Sequence, residues 1–81
     1  MWETGSFEIN GVKFLYEAKV FEEGSKFGMG GGRISKLYIC RDIGRTTLFN
    51  DYIVHYDRGW DIRPRTELAW KAVRYVKKLY E

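Results

Sequence analysis

Two stretches of this chain carry residue types and spacings suited to chemistry. The first is Gly28-Met29-Gly30-Gly31-Gly32-Arg33. Consecutive glycines let backbone N–H groups close on an anion, and a guanidinium at the loop's exit can grip phosphate or carboxylate as a fork. Gly30, Gly31, Gly32 and Arg33 are therefore candidate ligand-binding residues. The familiar phosphate-loop fingerprints do not fit. G-x-G-x-x-G would need glycine where Arg33 stands, and G-x-x-x-x-G-K-[ST] finds no Lys-Ser or Lys-Thr after the loop. A strand-like run follows, so no helix dipole is aimed at these glycines. The competing reading is a pliable connection whose glycines take positive φ beside an edge strand.

The second stretch is Tyr56-Asp57-Arg58-Gly59-Trp60-Asp61, followed by Arg63 and Arg65. Arginines beside an indole suit a nucleobase with its phosphate, by stacking and by charge. Arg58, Trp60 and Arg63 join the candidate ligand-binding set. The plainer alternative is a structural corner, with Gly59 supplying the turn and Asp57 bonding forward to fix it. His55 is the single histidine and Cys40 the single cysteine. On a strand, His55 would share a face with Asp51 and Asp57, which is conceivable for a metal or an acid–base pair. Arg41 beside Cys40 would favour its thiolate. Neither residue has the partner spacing of a catalytic site. The expectation is a protein that is not an enzyme, with no cofactor and no bound metal.

These residues need elements to position them. Ser6-Phe7-Glu8-Ile9, Asn10-Gly11 and Val12-Lys13-Phe14-Leu15-Tyr16-Glu17-Ala18-Lys19-Val20-Phe21 read as a β-hairpin over 6–21. Asn-Gly favours a type I′ turn because both central residues need positive φ. A two-residue turn pairs Ile9 with Val12 and Phe7 with Phe14. It places Phe7, Ile9, Val12, Phe14, Tyr16, Ala18 and Val20 on one face, with Glu8 opposite Lys13 on the other. Leu15 and Phe21 fall on the polar face, where Trp2 or the following loop would cover them; the alternative is a docking patch. Residues 22–32 form the glycine-rich loop. Strands follow over 33–41, with Ser35, Leu37 and Ile39 on one face, and over 46–56, where Asn50-Asp51 leaves open whether there is one strand or two. Pro64 forces Arg63 to be extended and opens a helix over 65–81. Its apolar stripe is Leu68, Ala69, Ala72, Val73, Val76, Leu79 and Tyr80. Trp70 sits at the stripe's margin beside Arg74 and Lys77, an edge that reads as solvated. The fold class is α+β: an antiparallel meander of four to five strands with one C-terminal helix on one face.

Composition bounds the rest. At 81 residues the chain makes one domain, and its five Phe, six Tyr and three Trp let few elements close a core. The net charge is +3. Its distribution says more: residues 1–32 hold three lysines against five glutamates, and residues 33–81 hold eleven Lys and Arg against six acids. A basic half suits an anionic partner, or is simply a solvated helix surface. A lone cysteine excludes an intramolecular disulfide and fits a reducing cytosol. The first residues lack the pattern of a secretory leader, and no apolar run approaches the ~20 residues that cross a membrane.

Gly31-Gly32-Arg33-Ile34-Ser35-Lys36-Leu37 and Tyr56-Asp57-Arg58-Gly59-Trp60-Asp61 resemble segments of short proteins encoded by phages and Firmicutes, grouped as a domain of unknown function. The resemblance implies a phage or mobile-element origin, a setting where small proteins counter host defence by binding a defence protein or a nucleotide signal. It implies no residue roles. The expectation is a cytoplasmic, non-enzymatic protein that sequesters a phosphorylated nucleotide between the glycine loop and the Arg58–Trp60 corner. The alternatives are a nucleic-acid-binding module using the basic half, and an inhibitor that binds a host protein through an exposed sheet edge. A sheet edge or face can also pair two copies as a homodimer.

Overall fold

The structure, a computed structural model, describes residues 1–26, 28–44 and 52–81. Five strands form one antiparallel sheet in chain order: β1 (Trp2–Ile9), β2 (Val12–Val20), β3 (Ile34–Arg41), β4 (Tyr52–Asp57) and β5 (Trp60–Ile62). One helix, α1 (Glu67–Tyr80), packs on one face of the sheet. This is the α+β meander that the pattern predicts.

The first hairpin forms in the expected register. Asn10 and Gly11 both take positive φ, 53° and 79°, as the tight turn requires. Ile9 pairs with Val12, Phe7 with Phe14 and Glu8 with Lys13. Phe7, Phe14, Tyr16, Ala18 and Val20 are buried on the helix side, with Leu37, Ile39, Val54 and Tyr56 from the next strands. Phe14, Leu37, Ile39 and Val54 are almost wholly buried; each such side chain contributes about 1.5–3 kcal/mol by leaving water. Helix α1 closes this core with Ala69, Ala72, Val73 and Val76. Its first turn is capped by the Thr66 hydroxyl, which accepts the Ala69 N–H at 3.0 Å.

Several boundaries differ from expectation, each for a tertiary reason. Strand β1 begins at Trp2, not Ser6, because pairing with Tyr16–Lys19 holds a segment whose own alternation is weak. Within it, Gly5 lies opposite Tyr16, and a Cβ there would come within 2.8 Å of the Tyr16 ring. The bare backbone leaves room for that ring, whose hydroxyl meets Tyr80 Oη at 2.7 Å. The sheet register slips between Lys19 and Val20, so that Val20 pairs with Ile34 and Lys19 with Lys36. Ser35 becomes the extra residue of a bulge, and Ile34 joins Leu37 and Ile39 in the core. The helix starts at Glu67, two residues later than expected, because Thr66 is the cap and buried Pro64 lies ahead of it. Leu79 is 51% exposed. Tyr75, outside the expected stripe, stacks on Phe7 at 4.4 Å while remaining partly exposed. Trp60, expected within a turn, is on strand β5 opposite Tyr56. The true corner is Arg58-Gly59, where Arg58 takes a φ of 56° and the Asp57 N–H donates to the Gly59 carbonyl.

The face of the sheet away from α1 has no element packed on it among the described residues. Trp2 stacks on Tyr38 rather than covering Phe21, which is 47% exposed, and Leu15 lines an open groove. The question of one strand or two over 46–56 is answered only for its second part; residues 46–51 lie outside the described residues. No helix among the described residues is long and apolar enough to cross a membrane.

Candidate ligand-binding groove

The expected helix stripe and its margin decide where the groove lies. Trp70, Arg74 and Lys77 follow one another at i, i+4 and i+7, so they share one edge of α1. That edge faces the β4–β5 corner and the glycine loop. Between them runs a groove of about 530 Å³. Buried Met29, Tyr56 and Val73 contribute its apolar lining, Trp60 and Trp70 its indoles, and Arg74 and Lys77 its cations, with Gly30 and Gly59 completing it. The two indoles meet edge-on, centroids 5.7 Å apart at 73°, and Trp60 meets Tyr56 edge-on at 5.1 Å. These contacts fix the rings that face the groove.

Gly30 and Trp60 are thus brought together, by partners that the sequence reading set aside. Gly30 has a φ of 61°, and a Cβ there would stand 3.1 Å from Lys77 Nζ. Its glycine character lets the lysine ammonium lie against the loop backbone. Met29–Gly31 forms a short 3₁₀ turn, within which the Gly31 N–H donates to Gly28 O and the Gly32 N–H to Met29 O. These donors are spent inside the loop.

The loop does hold an anion, and the anion belongs to the chain. Glu81, just past α1, accepts the backbone N–H groups of Arg33 and Ile34 on Oε1, at 3.0 and 3.2 Å. Its other oxygen lies 3.9 Å from Lys77 Nζ. A Cβ on Gly32 would collide with this carboxylate, and one on Gly28 would collide with the Gly32 carbonyl. The glycines at 28 and 32 therefore supply room, first for the loop's own backbone and then for Glu81. The Glu81 contact ties the end of α1 to the start of β3 and places Lys77 between Gly30 and the carboxylate.

The remaining candidates stand outside the groove's lining. Arg33 donates its Nε–H to the Phe21 carbonyl at 2.8 Å, toward β2. Arg58 is exposed at the corner, its Nε 3.4 Å from Asp57 and its backbone N–H bonded to Ser35 O. Arg63 is exposed between β5 and Pro64. His55 lies on the opposite face, Nε2 3.5 Å from Asp61 Oδ2. Cys40 is buried, its Sγ 3.9 Å from the Leu15 carbonyl. No group of three or more metal-ligating side chains converges among the described residues.

The fold and the groove define a class: a single-helix, open-sheet α+β domain with an aromatic, cation-edged groove beside the helix. The chain belongs to the family described as Domain of unknown function (DUF7678), whose model matches residues 1–81. No curated protein and no solved structure matches it.

Proposed function

We propose that the chain is a non-enzymatic binding protein that sequesters a small phosphorylated nucleotide in the groove between α1, the β4–β5 corner and the glycine loop. The observation that carries this reading is the convergence of two indoles and two cations on one groove. Trp60 and Trp70 offer aromatic surface to a base. Arg74 and Lys77 offer charge-assisted hydrogen bonds to phosphate beside Gly30. Arg58 and Arg63, both exposed, add positive charge around the approach. The Arg33 and Ile34 backbone N–H groups hold Glu81, and through it Lys77, beneath the site, with Gly32 leaving room for the carboxylate and Gly31 turning the loop. The resemblance in the Gly31–Leu37 and Tyr56–Asp61 segments supports a phage or mobile-element setting, in a reducing cytosol, where removing a nucleotide signal would blunt a host defence.

Calorimetry against a panel of cyclic, linear and ADP-ribose-type nucleotides tests this. One nucleotide is expected to bind with saturation, quench tryptophan emission and lose affinity in Arg74→Ala and Lys77→Ala. Absence of heat with every member would overturn the reading. Binding of oligonucleotides alone, weakening steeply with salt, would replace it with a nucleic-acid module on the basic half.

A further inference from the structure

The sheet's second face carries a site of opposite character. Strand register places Glu17 beside Tyr38, Tyr38 beside His55, and Leu15 beside Cys40, with Tyr52 next in that row. All point away from the helix. Between β1 and β4 this face holds a groove of about 520 Å³, lined among others by Thr4, Leu15, Glu17, Tyr38 and Tyr52. Its aromatic rings are ordered: Tyr38 and Tyr52 stack with centroids 5.4 Å apart and planes 23° apart, and Trp2 stacks on Tyr38 at 5.9 Å and 14°. Trp2 remains 48% exposed.

Charge distinguishes this groove from a merely apolar face. Among the described residues, Glu17 is the only charged residue in its lining. Every lysine on this face has another neighbour to turn to. Lys19 Nζ lies over the Phe21 ring, Lys36 Nζ lies 3.9 Å from Asp57, and Lys13 is paired across the hairpin with Glu8. No hydrogen bond or ion pair engages the Glu17 carboxylate among the described residues. The phenols of Tyr38 and Tyr52 are both held above the ordinary tyrosine range. Burial is the main cause for each, reinforced for Tyr38 by Asp57, Tyr52, Glu17 and Asp61, and for Tyr52 by Glu17 and Cys40. The groove therefore lies in a negative field, with neutral phenols as its walls. An anionic partner would be repelled there; a cationic one would be drawn in.

We propose that this open-face groove docks an arginine-bearing segment of a partner protein, the guanidinium stacking on Tyr38 and Tyr52 and forking to Glu17. Arginine fits better than lysine because its planar head both stacks on rings and pairs bidentately with a carboxylate. A protein segment fits better than a free guanidinium because Trp2, stacked on Tyr38 and half exposed, offers further aromatic surface beside the groove for neighbouring side chains. The site is independent of the nucleotide groove: it shares no lining residue with it, and either can fail alone.

The test uses the intact protein, short peptides with central Arg-Gly-Arg, Lys-Gly-Lys or Glu-Gly-Glu, and backbone amide NMR. The Arg-Gly-Arg peptide is expected to shift the amides of Thr4, Glu17, Tyr38 and Tyr52 saturably, more tightly than the lysine peptide, while the glutamate peptide does nothing. Glu17→Gln should weaken binding about three- to fivefold, the scale of an exposed ion pair, and Glu17→Gln with Tyr38→Leu about tenfold. Unchanged binding in Glu17→Gln, with its amide spectrum otherwise native, overturns the proposal. Three other results also overturn it: equal shifts by guanidinium chloride at matched concentration, shifts by a single-stranded oligonucleotide, or the same shifts on raising protein concentration alone, which would assign the face to a second copy of the chain.

Discussion

Two grooves of nearly equal volume lie on opposite faces of one sheet, and they differ in sign. The helix-side groove has indoles and two cations; the open-face groove has phenols and one carboxylate. The difference has a structural origin. On the covered face the sheet contributes its apolar side chains, so polar groups at the groove must come from the margin of α1. On the open face the strands' outward residues form the site directly, and alternation decides their identity. A meander with a single helix thus gives its two grooves opposite sign, although the charge asymmetry in the chain runs along the sequence.

Charge reversal is the strongest way to break this comparison. Arg74→Glu with Lys77→Glu should reduce nucleotide affinity about a hundredfold or more, since each charge-assisted hydrogen bond is worth roughly 1.5–3 kcal/mol. Arginine-peptide binding on the other face should be unchanged. Calorimetry with both ligands checks the pair; loss of both would mean that the two faces are not independent.

Next in size is the Glu81 latch. Gly32→Ala forces its Cβ into the carboxylate and should cost about 1–3 kcal/mol of stability in urea unfolding, because the Arg33 and Ile34 N–H groups lose their acceptor. Glu81→Ala should cost a similar amount. The double variant should cost little more than either, since both break one contact. Additive losses would show that the glycine and the carboxylate act separately.

A smaller effect is expected at Tyr16 and Tyr80, whose hydroxyls meet at 2.7 Å. Tyr80→Phe should cost about 1 kcal/mol. The Tyr80 phenol is held far above the usual 10.0, first by burial and then by its bond to Tyr16. The native state therefore keeps a proton that the unfolded chain releases. This contribution is fully present below pH 10 and is lost as pH rises beyond it. Tyr80→Phe should flatten that alkaline decline, which urea unfolding across alkaline pH would measure.

The smallest expected effect sharpens the contrast in sign. Removing the Glu17 charge takes a negative neighbour from Tyr38 and Tyr52, so Glu17→Gln should lower both phenol titrations toward the ordinary range. Spectroscopic titration reads this directly. No movement would mean that Glu17 plays no part in holding the phenols up.

Local chemistry made the hairpin and the helix legible from residues alone. Asn10-Gly11 dictates its turn, alternation dictates which side chains share a face, and the 3.6-residue period dictates the stripe that Ala69, Ala72, Val73 and Val76 bury. Helical spacing also placed Trp70, Arg74 and Lys77 together, but spacing does not say what an edge faces. That was decided by contacts between residues far apart in the chain. Strand β5 forms because Trp60 finds Tyr56, Tyr75 joins the core's flank because its ring reaches Phe7, and Gly30 becomes part of a groove because the helix end lies over it. The glycine loop shows the division most clearly. Its composition signalled room for an anion beside Arg33; only packing the end of α1 against the start of β3 supplied that anion as Glu81.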